Sequence, residues 1–348
     1  MVTRANLRLM RVAAASLALV MLLGLPAGGR ADSPADSPAP SAQQRRIEAA
    51  CAGGSGFDVT GARIVTEVDQ GSYSVGTAAL CHWMARAALA VIGYYGRFPV
   101  DDVRIVLRAV DGAGVGSGTT YGHSRDGRPL IVIRLGRDTT ELQLTNDWKL
   151  THEMVHLSVP SVPRSSHWLE EGIATYVEPI ARGQRGELGD ERIWADMLHG
   201  MPKGLPAPDD RGLDNTHTWG RTYWGGALFC LLADVQIRSS TQNHKGLQDA
   251  LRGVLEARGD IRVDWPVERV LAAGDAATGT TVLLDLYHRV ASSPEPTSAE
   301  LDALWPALGV RAEDRGVRFD DSAPLAATRL AITAAHSPLA FTKAKPST

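Results

Sequence analysis

Residues 152–156 read His-Glu-Met-Val-His. On a helix, positions i and i+4 share a face one turn apart. His152 and His156 can therefore aim two imidazoles at one ion, and zinc is the ion that this spacing suits. Glu153 sits on the adjoining edge of the same turn, close enough to hold a water on that ion. Trp148, Val155 and Val159 give the segment an apolar side, which supports the helix. Two histidines do not complete a site, so a third donor must come from elsewhere. Residues 168–178, WLEEGIATYVE, directly follow a proline-bounded loop. Two adjacent helices joined by a short turn can set a carboxylate of that segment opposite the histidine pair. Glu170 and Glu171 both qualify. They point about 100° apart around a helix, and pattern alone does not choose between them.

A continuation with Gly three residues after the second His and a third His three later, as in metzincins, is absent, because those positions hold Val159 and Val162. The segment WLEEGIATYVE instead resembles the WLxEGxAxYxE segment of the aminopeptidase N family and of the related glycyl aminopeptidase family, both gluzincin zinc peptidases. The resemblance implies that the metal ligand is the Glu immediately before the Gly, which is Glu171, with Glu170 at the variable position. Residues 222–238, TYWGGALFCLLADVQIR, are similar to the tyrosine-bearing helix of the glycyl aminopeptidase family. That match implies a catalytic role for Tyr223 and aligns Asp234, Ile237 and Arg238, while Gly225 departs from the Lys usual there. The likeness covers about residues 80–260.

What the resemblance implies is a Zn2+ site of His152, His156 and Glu171 with a peptide or protein substrate. A zinc-activated water would attack the peptide carbonyl, Glu153 would be the general base, and Tyr223 would stabilise the oxyanion with the metal. The alternative is an exported zincin-fold binding or assembly protein that keeps the metal for structure. Against it, an intact Glu153 is not needed to hold a metal. Aminopeptidase N relatives grip the substrate amine with a Glu in a Gly-x-Met-Glu-Asn segment. The equivalent stretch here, Gly114–Gly122, contains no Glu, so aminopeptidase specificity is not carried over. The stretch can still serve as an edge strand for an extended peptide. His123, His167 and His217 lie near these motifs and read as surface or loop residues, His217 having the best claim to face the cleft.

The elements that must position these residues follow from periodicity. Val59 to Ser74 is short and strand-like. Residues 80–95 carry a helical period. Two β-rich runs, 103–110 and 129–136, flank a polar glycine-rich stretch from Gly112 to Gly127 that holds neither GxGxxG nor GxSxG. Asp138 and Glu141 have capping-box spacing, which predicts a helix from there to Val159, ahead of Pro160. The next helix is expected from Ser165 or Ser166 to Pro179. Further helices are expected near 190–199, 219–238, 244–258, 281–291 and 298–305, with a Pro-rich loop at 201–210. The last forty or so residues read as a small strand-containing cap and a loose tail. This is an α+β layout: a zincin-like catalytic domain, with a small sheet and the HExxH helix, followed by a mostly helical subdomain.

Arg4, Arg8 and Arg11 precede an apolar run from Val12 to Leu25, then Pro26 and small residues up to Ala31. That is the anatomy of a secretory signal peptide, with a mature chain starting near Asp32 and no stable membrane span after cleavage. The rival reading is an uncleaved anchor, for which the run is a little short and broken by Pro26. A periplasmic or secreted location is expected, and there Cys51 and Cys81 can pair, with Cys230 a buried thiol. A net charge of -3 offers no basic field for nucleic acid. The expected divisions are 1–31 signal peptide, 32–45 Pro/Ser-rich linker, 46–180 zincin-like catalytic subdomain, 181–292 helical catalytic subdomain, and 293–348 cap and tail.

Overall fold

Residues 41–52, 56–69, 73–314 and 316–334 are described by a computed structural model. The expected signal peptide, residues 32–40 of the linker and residues 335–348 of the tail lie outside them. Five strands form one mixed sheet: β1 (Gly56–Val59), β2 (Ala62–Val68), β3 (Asp102–Val110), β4 (Val115–Tyr121) and β5 (Leu130–Gly136). Their order is β1-β2-β3-β5-β4. The inner three run parallel, and β1 and β4 are antiparallel edges. β3 and β5 bury Val103, Ile105, Leu107, Ile131, Ile133 and Leu135, as central strands must. The polar glycine-rich stretch supplies the edge strand β4, which needs a ladder on one side only.

The first helix, α1 (Ala42–Ala52), begins inside the segment expected to be linker, so 42–45 are helical. A Cys51–Cys81 disulfide ties it to α2 (Thr77–Tyr95), and Cys230 is a buried free thiol. The single helix expected from Asp138 to Val159 is two, α3 (Glu141–Thr145) and α4 (Lys149–His156). The break has a local cause. The Asp147 carboxylate accepts the Lys149 and Leu150 amides at 3.1 Å each and the Trp83 indole N–H at 3.0 Å, so it starts a new helix. The capping box forms one turn on from Gly136, between Thr140 and Gln143, rather than at Asp138 and Glu141.

Helix α5 (His167–Gly183) runs through Pro179 instead of stopping there. Proline forfeits one backbone bond, but the turn beyond it buries Ile180, Ala181 and Arg182. Arg182 also pairs with Glu178 at 2.7 Å inside the protein. After α6 (Asp190–Gly200), a π-helical turn, Arg221–Gly225, leads into α7 (Gly226–Ser240). Then come α8 (Leu247–Glu256), α9 (Val267–Thr278), α10 (Val282–Val290) and α11 (Ser298–Leu308). A hairpin of β6 (Val310–Glu313) and β7 (Gly316–Phe319) and a last helix, α12 (Ala326–Thr333), follow. The architecture is α+β with a helical second half. One buried apolar cluster extends from Ile47 to Ile332, and the division expected at residue 180 falls within α5.

Asp234 locks the helical half. Its carboxylate accepts from Tyr176 Oη at 2.9 Å, Arg238 Nε at 2.8 Å and the Leu247 amide at 2.9 Å, joining α5, α7 and α8. Among the described residues no helix is long and apolar enough to cross a membrane.

Candidate metal centre

Helix α4 lies against β4 and packs on α2 and α5. Residues 152–156 occupy its last turn and a half. Both histidine rings point toward α5. His152 Nε2 lies 3.2 Å and His156 Nε2 3.5 Å from Glu171 Oε2. The two imidazoles meet edge to face, centroids 4.9 Å apart. A ligand atom from each of the three residues falls within 4.8 Å of the others. A tetrahedral ion with donors roughly 2.0–2.1 Å away separates them by about 3.3–3.4 Å. The two measured edges match that geometry, and two imidazoles with one carboxylate are the donor chemistry of catalytic zinc, so the residues fit the group.

Glu170 takes no part in the cluster. Its Oε1 accepts the Val162 amide at 2.9 Å, and its Oε2 meets His167 Nδ1 at 2.6 Å. The helical turn that sends Glu171 inward sends Glu170 toward the loop between α4 and α5. His167 was expected at the surface. Its side chain is half exposed, yet its Nε2 lies 3.2 Å from the second Glu171 oxygen. It is a clamp on the carboxylate that faces the histidine pair. The signal for it was present in the sequence, a His and a Glu at i and i+4 on one helix. His123 bonds the Arg262 carbonyl at 3.1 Å and His217 is exposed; neither joins the cluster.

Glu153 is buried beside the histidines but donates neither oxygen to their cluster. Thr120 on β4 holds it: the hydroxyl lies 2.6 Å from Glu153 Oε2 and 2.9 Å from the Glu153 carbonyl. Gly118, two residues earlier on the same strand, leaves room for the carboxylate. A Cβ at that position would lie 2.5 Å from Glu153 Cγ and Oε1.

Tyr223 sits in the π-helical turn, a local irregularity that re-aims side chains. Its ring faces His152 at 6.4 Å and 20°. Two glycines allow this approach. A Cβ on Gly172 would come within 2.3 Å of the Gly226 backbone, so α5 and α7 cross in direct contact there. Glu171 and Tyr223 therefore share one corner of the site. The start of α5 is fixed by Asp214, which accepts from Ser166 Oγ at 2.9 Å, Trp168 Nε1 at 2.7 Å and Tyr287 Oη at 2.8 Å.

Electrostatics follow from this packing. Burial opposes a charge on His156, but the Glu171 carboxylate and its hydrogen bond, with Glu153 and Glu170, raise the ring to about 9. Hydrogen bonds to Glu170 and Glu171 raise His167 to about 10, against burial. Burial pushes the Glu171 acid up, but His156 and the hydrogen bonds from His152, His156 and His167 hold it well below the carboxylate range. Burial, the Glu171 and Glu153 charges and a hydrogen bond to Glu171 push the Tyr223 hydroxyl far up, so it stays protonated. His152 Nδ1 is buried without a hydrogen-bond partner.

The fold is similar to that of an aminopeptidase N family protein from Idiomarina loihiensis, with a TM-score of 0.55 and 14% identity, covering 73% of this chain and 49% of that one. An M1 zinc metallopeptidase from Deinococcus radiodurans aligns with a TM-score of 0.42 and 17% identity, over 68% of this chain and 51% of its own. The chain thus spans about half the length of these structures. At 14% identity the first likeness speaks for a shared fold and nothing finer. No protein-family model and no curated protein sequence matches the chain.

Proposed function

We propose that the chain is a zinc-dependent metallopeptidase, exported from the cytoplasm, that hydrolyses peptide bonds. One observation carries this reading: three donors of zinc type converge beside a buried carboxylate that is not one of them. His152, His156 and Glu171 would hold the ion, and His167 would fix the free oxygen of Glu171. Zinc, when bound, supplies the Lewis acidity that activates water and polarises a carbonyl. Glu153 accepts a proton from water as the water oxygen bonds to the peptide carbon. The C–N bond then breaks, and Glu153 returns that proton to the leaving amine. Thr120 keeps the carboxylate aimed at the cluster throughout. Tyr223, protonated, donates a hydrogen bond to the carbonyl oxygen as it gains charge.

The closer kinship with glycyl aminopeptidases, and a mature chain starting near Asp32, belong to the same proposal. Glu153→Gln tests it, because the amide keeps size and polarity but accepts no proton. Zinc content should hold while peptide hydrolysis falls at least about a hundredfold. Hydrolysis at full rate in Glu153→Gln would overturn the mechanism. A zinc-loaded wild type that cleaves nothing across a broad peptide library would favour the non-catalytic zincin.

A further inference from the structure

Two of the large apolar side chains exposed among the described residues stand directly on this centre. Trp148 is 46% exposed, and its ring meets His152 edge-on with centroids 5.5 Å apart. Trp219 is 61% exposed and stacks on Tyr223 at 5.8 Å and 28°. With Tyr223 facing His152, the four rings form an unbroken row: Trp148, His152, Tyr223, Trp219. Its ends are open to water and its middle is the site where bonds would break. Each indole precedes its site residue by four positions, one helical turn. The exposed part of each indole is apolar surface that the fold leaves uncovered beside a polar centre.

The charges at the site point the same way. The carboxylates of the two motif segments at the histidine pair are Glu171, Glu153 and Glu170. Glu171 faces the histidines, Glu153 is held by Thr120, and Glu170 is taken by His167 and the Val162 amide. None of the three is free to grip a substrate ammonium. At the Trp148 end, Lys149 Nζ lies 5.1 Å over the indole, which disfavours a basic side chain. The polar edge strand β4 runs past Glu153 with Ser117 and Thr119 exposed, so it offers backbone rather than charge.

We infer that Trp148 and Trp219 form apolar subsites for large aromatic or aliphatic side chains of the residues flanking the scissile bond, and that the substrate binds as an internal stretch of peptide rather than by its amino terminus. This rests on the peptidase reading above and names its substrate class. The indoles supply flat apolar area at little conformational cost, which suits Phe, Tyr, Trp and Leu and gives nothing to Gly or Asp.

The test uses zinc-loaded full-length chain and internally quenched decapeptides blocked at both ends, alanine throughout except for a central Phe, Leu, Ala or Asp. Cleavage next to Phe and Leu should exceed that of the alanine peptide at least about tenfold in kcat/KM. Trp219→Ala should bring the Phe-to-Ala ratio to within about twofold at constant zinc content, and Trp148→Leu should lower it. Cleavage without apolar preference, a preference that survives both substitutions, or cleavage confined to peptides with a free amine would each overturn the inference while leaving the peptidase intact. If no peptide is cleaved, the fluorescence anisotropy of a dye-labelled blocked Phe peptide titrated with zinc-loaded Glu153→Gln decides. Saturable binding lost in the Trp219→Ala double variant upholds the two indoles as binding sites for apolar side chains of an internal peptide stretch and sinks the peptidase. No binding sinks the subsites as well.

Discussion

Gly118→Ala should disable the proposed base without touching the metal ligands. The position lies outside the left-handed region, so alanine meets no backbone strain. Its new Cβ would lie 2.5 Å from Glu153 Cγ and Oε1 and 2.7 Å from Cδ, where ordinary contact begins at 3.4 Å. The carboxylate must therefore retreat by about 1 Å, and it loses the 2.6 Å bond from Thr120 on the way. The contact reaches Cγ as well as the carboxylate, so the whole Glu153 side chain must leave its rotamer, at a cost to the fold on the order of 1 kcal/mol. A misplacement of about 1 Å at a reacting group costs roughly a hundredfold in rate. The measurement is kcat and kcat/KM on a blocked peptide, with zinc content and thermal midpoint taken on the same sample. Expected are a kcat about a hundredfold down, unchanged zinc, and a midpoint within a few degrees of wild type. Ser117→Ala, next door and exposed, should leave all three alone. Full turnover in Gly118→Ala would refute the claim that Glu153 works from where Thr120 holds it.

Three further outcomes follow. Glu171→Ala should lose zinc and Glu170→Ala should keep it, read by metal analysis after dialysis; the reverse would mean the third ligand is the neighbouring residue. His167→Ala should weaken zinc binding about 10–100-fold, the usual effect of removing a partner that orients a ligand, with His167→Gln recovering part of it; unchanged affinity in a competition titration would reduce His167 to a surface residue. The metal-stripped protein holds a proton on His156 up to a pH of about 9, and zinc must displace it. Apparent affinity should therefore fall as pH drops below 9, by up to about tenfold per unit, and should level off above it; a flat profile from pH 6 to 9 would contradict the charge assigned to His156.

The site was more legible in the sequence than the path of the chain around it. His152, Glu153 and His156 follow from helical spacing, which needs no tertiary information. The choice of Glu171 over Glu170 was open to pattern physics, because it depends on which side of α5 faces α4. The resemblance favoured Glu171, and that is the side chain found 3.2 Å from His152. A histidine near a loop is ordinarily solvated, so His167 reads as a surface residue even though its i, i+4 spacing to Glu171 is plain in the sequence. Gly118 and Thr120 could not be assigned to Glu153 from sequence, since strand and helix meet only through the sheet order. The break between α3 and α4 is hidden in the sequence because Asp147 lies within an otherwise helical run, and its role as a cap shows only in the amides of Lys149 and Leu150 that it accepts. The extension of α5 past Pro179 buries Ile180, Ala181 and Arg182, a tertiary gain that local propensity does not report. Helix α9 is absent from the expected elements although it buries Val267, Val270, Leu271 and Gly274 at helical spacing, whereas α12 buries Thr328, Arg329 and Thr333 beside Ile332, a face whose polarity hides its period.

In the proposed mechanism one metal ion at His152, His156 and Glu171 drives peptide hydrolysis. The direct measurement strips the full-length protein with a chelator, removes the chelator, and titrates zinc back while following cleavage of a blocked peptide. Hydrolysis should vanish on stripping and return in proportion to added zinc, reaching its limit at about one equivalent. The His152→Ala and Glu171→Ala proteins should not recover at that equivalence. Cleavage that persists without metal, or a protein that binds one zinc and hydrolyses nothing, would contradict the account.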